Sequence, residues 1–175
     1  MQFRGRTALS AFRSQKLLEN IQAIVPHIRA IAAQYWYFCQ AQSALTSGEI
    51  VHLAQLLEAV HSPAALTQDN NWYLVVPRPG TISPWSSRAT DIAHHCNLTS
   101  TTRLERGIIF HLQSSSILST SDRQQVETCL HDRMTESVLR TFTDIPRLFQ
   151  HNTPGTLNHI AILDQGASAL IDANK

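Results

Sequence analysis

The amino-acid sequence predicts an α+β protein in which two β-α-β-α-β halves form a pseudo-dimer, with antiparallel sheets and helices packed on one face. Two observations predict this class. Segments with helical periodicity alternate with segments that have the two-residue periodicity of strands. The second half also repeats the first at a constant offset of 73 residues, without gaps, as expected for a duplicated unit. We expect one domain over residues 1–150, with repeats at about 1–66 and 72–149, and the start of a further domain at 151–175.

The first half opens with a strand and a helix. A short strand surrounds Phe3, and apolar residues at helical spacing predict a helix over 10–25. Pro26 ends this helix, because proline cannot continue it. Residues 27–39 then form a strand rich in aromatic side chains. Both of its faces are apolar, which indicates that the strand is covered on both sides.

A second helix follows in the first half. Thr46 and Glu49 have the spacing of a capping box, in which each side chain satisfies a backbone N–H of the other residue. The apolar positions after them extend the helix to Val60. Residues 62–71 are rich in turn-forming types and are interpreted as a loop.

The second half opens with a run in which strand, turn and helix signals follow one another directly. Trp72–Pro77 is predicted to be a strand, and Pro79–Gly80 predicts a tight turn. Ser83 precedes Pro84, which is the arrangement of an N-cap followed by proline at the first helical position. The helix is expected to continue to about Cys96.

The remaining elements of the second half repeat those of the first. A strand is predicted over 103–113. Ser119 and Asp122 have the cap spacing again, and a helix continues to about Arg133. Residues 135–143 are the predicted closing strand.

Corresponding residues of the two halves have matching roles. The pairs that show this are Ser10 with Ser83, Phe12 with Trp85, Tyr35 with Ile108, Thr46 with Ser119, and Leu53 with Val126. The alternative is two unrelated α+β segments of similar length. A match over successive elements favours duplication.

Beyond Phe149 the composition changes. His151–Thr156 is typical of a linker, and Ile160–Leu163 is a short apolar run. Gly166–Lys175 has the composition of a helix that has only begun. We therefore expect a fragment of a longer protein.

The overall composition argues against several classes of function. With 43% hydrophobic and 15% charged residues, a chain of 175 residues can bury an ordinary core. A formal charge of +1 without runs of like charge gives no support for nucleic-acid binding. No apolar run approaches the roughly 18 residues of a membrane span, so a cytoplasmic protein without a membrane partner is expected. Cys39, Cys96 and Cys129 lack C-x-x-C spacing and are interpreted as reduced and mostly buried.

The sequence shows no constellation of catalytic or metal-binding residues. His94, His95 and Cys96 are consecutive, so on a helix they fan out and cannot all face one ion. Cys129 and His131 are two residues apart and point apart on a helix. The acidic residues are scattered and are interpreted as solvated faces or helix caps, namely Asp91, Glu105, Asp122, Glu127, Asp132 and Glu136. We therefore assign no catalytic, metal or cofactor-binding residue in this segment.

The run that begins at Arg78 is the best candidate for a functional surface. Backbone N–H groups at a helix start, with guanidinium groups nearby, can bind an anion. The alternative is structural, with Ser83 capping the helix and Trp85 packing like its counterpart Phe12. The candidate residues for a domain interface or an anion contact are Arg78, Thr81, Ser83, Trp85, Ser86, Ser87 and Arg88.

The same run also carries a resemblance to a known family. Residues 78–93, RPGTISPWSSRATDIA, resemble a signature near the N-terminus of the large, single-chain phosphoribosylformylglycinamidine synthases (PurL, FGAR amidotransferase). Four further stretches fit in the same order, at 8–13 with 16–18, then 103–107, 130–136 and 169–174. Arg88 stands where that family often has lysine, a difference that keeps the charge.

The resemblance implies a scaffold domain. The family enzyme is a ligase that uses ATP, magnesium and ammonia released from glutamine to make formylglycinamidine ribonucleotide. Its N-terminal domain is similar to a dimer of the small subunit PurS, so the halves are expected to be PurS-like and 151–175 to be the truncated start of a linker domain. The glutaminase motifs and the ATP and magnesium ligands are expected beyond Lys175, and the segment alone is expected to be inactive.

Two functions follow as expectations. In the first, the segment docks the synthetase and glutaminase domains of the same chain and supports ammonia transfer, with the candidate residues facing the synthetase domain. In the second, the same residues form an autonomous anion-binding or regulatory module. A stand-alone hydrolase would require clustered acids or a Cys–His pair, and the sequence shows neither.

Overall fold

A six-stranded antiparallel sheet runs through the computed structural model of the chain, which describes residues 1–62, 71–150 and 159–174. Its strands are Gln2–Thr7 (β1), Ile28–Ala41 (β2), Val60–His61 (β3), Trp72–Pro77 (β4), Thr101–Ser114 (β5) and Glu136–Leu139 (β6). Their order across the sheet is β3-β1-β2-β5-β4-β6, and every neighbouring pair is antiparallel. The predicted α+β class is confirmed, and both halves contribute to this one sheet.

The main helices each begin at a hydroxyl side chain. They are Ala11–Gln22 (α1), Ser47–Leu56 (α2), Pro84–His95 (α3) and Thr120–Leu130 (α4), followed by the short helices Ile162–Gln165 (α5) and Ala167–Ala173 (α6). Ser10, Thr46, Ser83 and Ser119 each accept a hydrogen bond from a backbone N–H in the first turn of their helix, which satisfies a donor that has no partner within the helix. The capping boxes predicted from Thr46 and Ser119 are confirmed.

Helices α1 to α4 pack on one face of the sheet. At one end of that face α1 lies against α4, and Ile21, Val126 and Leu130 are buried between them and the strands. At the other end, Leu53 of α2 and Ala93 of α3 are buried against β1, β2 and β5. The helical layer thus covers two core regions of one sheet face.

The opposite face of the sheet is covered by a 3₁₀ segment, Phe142–Phe149. Its Ile145 and Leu148 are buried against Trp36 and Phe38 of β2 and against β4 and β5. Because Tyr37 faces the helices and Phe38 faces this segment, the prediction that β2 is covered on both sides is confirmed.

β2 and β5 lie side by side at the centre of the sheet, in a register that matches the sequence repeat. Tyr35 is opposite Ile108, its counterpart 73 positions later. β2 covers 28–41 and β5 covers 101–114, which is the same offset at both ends. On either side of this central pair the strands follow in equivalent order, with β1 and β3 next to β2, and β4 and β6 next to β5.

Several predicted boundaries were wrong, most clearly at the end of α2. The helix ends at Leu56, and Val60 belongs to β3, where it pairs with β1. Glu58 adopts a positive φ of 48°, which terminates the helix because a left-handed residue cannot continue it. The predicted helices also extended too far at Val25 and at Arg133, since α1 ends at Gln22 and α4 ends at Leu130.

The predicted closing strand 135–143 was too long. Only Glu136–Leu139 pairs with β4, and the chain then enters the 3₁₀ segment, which contains Pro146. Proline cannot donate to a strand ladder, so it favours this change. Phe12 differs from expectation as well, because it is 76% exposed and does not pack on α1's inner face.

Two predicted segments fall largely outside the described residues. These are the loop 62–71 and the linker His151–Thr156. The predicted helix Gly166–Lys175 corresponds to α6, Ala167–Ala173.

Candidate functional site

The candidate run lies where β4 ends and α3 begins. β4 pairs with β5 as far as Val75, opposite Ile108, and α3 lies beside the preceding part of β5. Gly80 has a φ of 85°, which glycine adopts without steric cost. The N–H and hydroxyl of Thr81 both donate to the carbonyl of Arg78, at 3.2 Å and 2.6 Å. The predicted turn at Pro79–Gly80 is confirmed.

A buried ion pair anchors this turn to β5. Glu105 is 0% exposed, and its Oε1 accepts hydrogen bonds from Arg103 Nε at 3.1 Å and Nη2 at 2.6 Å. Arg103 Nη2 also donates to the Thr81 carbonyl at 2.6 Å. The Ser83 hydroxyl donates to Glu105 Oε2 at 2.9 Å. The turn and the start of α3 are therefore held by hydrogen bonds to charged groups, which are stronger than neutral ones.

The interpretation of Glu105 as a solvated face or a cap was wrong. The carboxylate is buried because Arg103, two residues earlier on the same strand, neutralises it. Residues i and i+2 of a strand share a face, so the spacing Arg-x-Glu in a predicted strand is the signal that could have indicated this pair. By contrast, Asp122 is a cap as expected.

Trp85 belongs to an aromatic cluster between α3 and β2. Its indole stacks on Tyr37, with ring centres 5.5 Å apart and an interplanar angle of 26°. The Cζ of Arg106 lies 5.1 Å from the Trp85 ring centre and 4.6 Å from that of Tyr35. Burial raises the pKa of the Tyr37 hydroxyl, and the Arg106 guanidinium acts in the opposite direction. No pattern in the sequence indicates this position of Arg106 between two aromatic rings.

The other candidate residues divide into inward and outward groups. Ser86 is 1% exposed, and its hydroxyl has no hydrogen-bond partner in the described part of the chain. Arg78, Thr81, Ser87 and Arg88 are exposed. Arg88 and Trp85 also line a groove of about 730 Å³ between α2 and α3, together with Leu56, Leu57 and Ile92. The run thus exposes Arg78 and Arg88 to solvent, while Ser83 and the Thr81 carbonyl are bonded to the buried ion pair.

His94 and His95 on α3 are held by hydrogen bonds to the backbone, and Cys39 is buried. His94 Nε2 lies 2.6 Å from the Thr101 carbonyl, and His95 Nδ1 lies 2.8 Å from the Asp91 carbonyl. Burial raises the pKa of the Cys39 thiol, which lowers its reactivity. Within residues 1–62, 71–150 and 159–174, no three His, Cys, Asp or Glu side chains form a potential metal site. In the same ranges, none of the helices has both the length and the apolar character needed to cross a bilayer.

Fold and site together define a class, an α+β domain of helices on an antiparallel sheet whose candidate site is an anchored turn at a helix start. Residues 34–149 match the family model of the formylglycinamide ribonucleotide amidotransferase N-terminal domain. The chain belongs to this family, which confirms the resemblance seen in the sequence. Membership connects the chain to the amidotransferase of purine biosynthesis.

Proposed function

We propose that this chain is the N-terminal scaffold domain of the cytoplasmic, ATP-dependent and glutamine-hydrolysing ligase that makes formylglycinamidine ribonucleotide. It docks the synthetase and glutaminase domains of the same chain and supports the transfer of ammonia between them. The segment is not catalytic alone, and ATP and magnesium bind in the other domains. The observation that carries the docking role is the anchored turn, in which the buried Arg103–Glu105 pair holds Thr81 and Ser83.

An anchored turn suits a docking surface for an energetic reason. Binding costs conformational entropy, and a surface that is already rigid loses less of it. Arg78, Ser87 and Arg88 are exposed around this turn, and rim charges of this kind orient a partner and accelerate its association. The exposed candidate residues therefore form the surface that faces the synthetase domain, namely Arg78, Thr81, Ser87 and Arg88.

We also infer that the two halves form a pseudo-dimer of PurS-like units. The Tyr35–Ile108 register and the equivalent strand order on either side support this arrangement. In a symmetric pair, the corner where α3 meets β5 would be identical to the corner where α1 meets β2. The Arg103–Glu105 pair is present at one corner, while the equivalent residues at the other are Ala30 and Ala32, so the domain can dock in a single orientation.

The docking role is tested with Arg78→Ala in the full-length amidotransferase. We expect glutamine hydrolysis to continue while product formation falls, so that more glutamate is released per amidine formed. Arg13→Ala is the matched control, since Arg13 is an exposed arginine at the equivalent corner of the first half. Glutaminase and synthetase rates that stay matched in Arg78→Ala would falsify the docking role of this surface.

The second candidate function is an autonomous anion-binding or regulatory module at the same residues. The exposed guanidinium groups of Arg78 and Arg88 favour it. Against it, the Glu105 carboxylate already accepts hydrogen bonds from the N–H and hydroxyl of Ser83, which places a negative charge at the start of α3. Calorimetry of the chain with nucleotides and phosphosugars separates the two functions, because tight binding that is lost in Arg78→Ala and Arg88→Ala supports the module.

A further inference from the structure

The guanidinium of Arg106 is held in place by aromatic rings and, within the described part of the chain, has no acidic partner. It contacts the ring faces of Tyr35 on β2 and Trp85 on α3. Among the described residues, none accepts a hydrogen bond from its N–H groups or forms an ion pair with it. None of its nitrogens is both buried and unpartnered, so these N–H groups reach solvent.

Arg103 on the same strand shows the opposite situation. Its guanidinium donates to Glu105 and to the Thr81 carbonyl, and its side chain is only 8% exposed. The two side chains lie on opposite faces of the sheet, because their positions on β5 differ by an odd number. The N–H groups of Arg103 are therefore used in hydrogen bonds within the fold, while those of Arg106 remain available to a ligand.

A guanidinium positioned in this way is suited to bind an oxyanion. The ring contacts fix the group before any ligand arrives, which reduces the entropy lost on binding. The planar fork of N–H donors matches the two oxygens of a carboxylate or a phosphate group. Ordinary surface arginines lack this restriction and adopt many rotamers.

The surroundings limit the size and charge of a ligand. Arg106 lines a cavity of about 140 Å³ with Ser83, Trp85 and Glu136. Since a water molecule takes about 30 Å³ of liquid volume, this space can hold a single oxyanion group. Glu136 lines the same cavity and opposes an anion there, and Arg6 is paired with Glu58 at 3.5 Å.

We propose that Arg106, held by Tyr35 and Trp85, is an oxyanion-binding site that takes a carboxylate or a phosphate group on its exposed N–H edge. The group comes either from an acidic side chain of a contacting domain or from a phosphate-bearing small molecule. This site does not depend on the docking role of Arg78 and can be tested in the chain by itself.

The test is a nuclear magnetic resonance titration of the ¹⁵N-labelled 175-residue chain with sodium acetate, sodium phosphate or sodium chloride at matched ionic strength. We expect the Arg106 Nε–H and Trp85 indole N–H signals to shift saturably with acetate or phosphate, while the Arg103 Nε–H signal stays in place. Arg106→Gln abolishes the response, and Arg106→Lys weakens binding about tenfold because it keeps the charge without the fork. Arg78→Ala and Arg88→Ala leave the response intact.

The outcomes distinguish the source of the ligand and the failure of the proposal. Tighter binding of acetate assigns the site to an acidic side chain, and tighter binding of phosphate assigns it to a phosphate compound. Shifts that follow chloride and never saturate mean an adventitious ion only and overturn the proposal, whatever the coupling assay of Arg78→Ala gives. If Arg106→Gln does not fold, the proposal is tested by two remaining results: saturable shifts in the wild-type titration and weaker binding by Arg106→Lys.

Discussion

The corner where α3 meets β5 differs from the equivalent corner where α1 meets β2, although the elements correspond one for one. Arg103, Glu105 and Arg106 stand where the first half has Ala30, Ala32 and Ala33. One corner is therefore anchored by charged hydrogen bonds, and the other has alanine at the three equivalent positions. Strand and helix follow in the same order in both halves, so the charged residues are not needed to specify that order, and their presence in one half points to function.

The helical layer shows a second difference between the two ends of the sheet. α1 packs against α4 at one end, whereas a groove of about 730 Å³ separates α2 from α3 at the other. The open end is the one that carries Trp85 and Arg88. The groove and the charged hydrogen bonds therefore both occur near the start of α3.

The largest effect is expected from breaking the buried ion pair. Glu105→Ala leaves the Arg103 guanidinium buried without its partner, which costs about 3–5 kcal/mol of unfolding free energy. Urea denaturation measures this cost. The exposed pair of Arg6 with Glu58, at 3.5 Å, is the control, and Arg6→Ala costs at most about 1 kcal/mol.

The double variant Arg103→Ala with Glu105→Ala sharpens this result, since it copies Ala30 and Ala32 of the first half. We expect it to be more stable than Glu105→Ala, because no charge is left unpaired. Additive destabilisation by the two substitutions would show that the second corner cannot adopt the packing of the first.

A smaller effect is expected at Gly107, whose counterpart in the first half is Gln34. A Cβ at Gly107 would lie 2.8 Å from the Val75 carbonyl oxygen and 2.9 Å from Leu74 Cδ1. Because a backbone atom of the neighbouring strand cannot move easily, Gly107→Ala costs about 1–3 kcal/mol in thermal or urea unfolding. Gln34→Ala removes one hydrogen bond to the Gly5 carbonyl and costs about 1 kcal/mol. Equal stability of the Gly107→Ala variant and wild type would contradict the close approach of β4.

Trp85 and its counterpart Phe12 provide the next comparison. Trp85 is half-buried and stacks on Tyr37, whereas Phe12 is 76% exposed. Trp85→Ala is therefore expected to cost about 2 kcal/mol, and Phe12→Ala to stay within about 0.5 kcal/mol of wild type. Matched costs in urea denaturation would mean that the two aromatic residues pack alike, as the sequence repeat by itself had suggested.

Local signals in the sequence were sufficient for much of the fold. The hydroxyl at Ser83 and the spacing at Thr46 and Ser119 predicted helix starts, since an N-cap depends on the residue type at one or two positions. The apolar character of β2 on both faces predicted a covered central strand, and the structure confirms it. These features depend on neighbours in the chain.

Features that depend on distant contacts could not be predicted. Val60 leaves the helical pattern because it pairs with Arg4 of β1, and the 3₁₀ segment forms over side chains of β2 and β4. The burial of Glu105 required knowing that Ser83 and Thr81 lie beside Arg103. Of the candidate site, the turn and the cap were predicted, while Glu105 and Arg106 came only from the structure.

The smallest effect is expected from a device that both halves share, the capping boxes. The pKa of Glu49 is lowered by hydrogen bonds from the backbone N–H and hydroxyl of Thr46, and that of Asp122 by the hydroxyl and N–H of Ser119. Because each folded-state pKa lies below its unfolded value, the stabilisation is present above the unfolded pKa, about 4, and is lost as the pH falls through the folded pKa.

This expectation is checked by urea unfolding of Glu49→Gln and Asp122→Asn. The measurement runs from about pH 6 to about pH 2, which spans the unfolded pKa and the lower folded-state pKa of each carboxyl. Each variant should lose less stability on acidification than wild type does. The two changes should be similar in size, because the pKa of each carboxyl is lowered first by hydrogen bonds from its cap residue. Further lowering comes from Ser100 for Glu49 and from His27, 3.8 Å away, for Asp122. Parallel stability profiles of variant and wild type would mean that Glu49 and Asp122 have the same pKa in the folded and the unfolded chain.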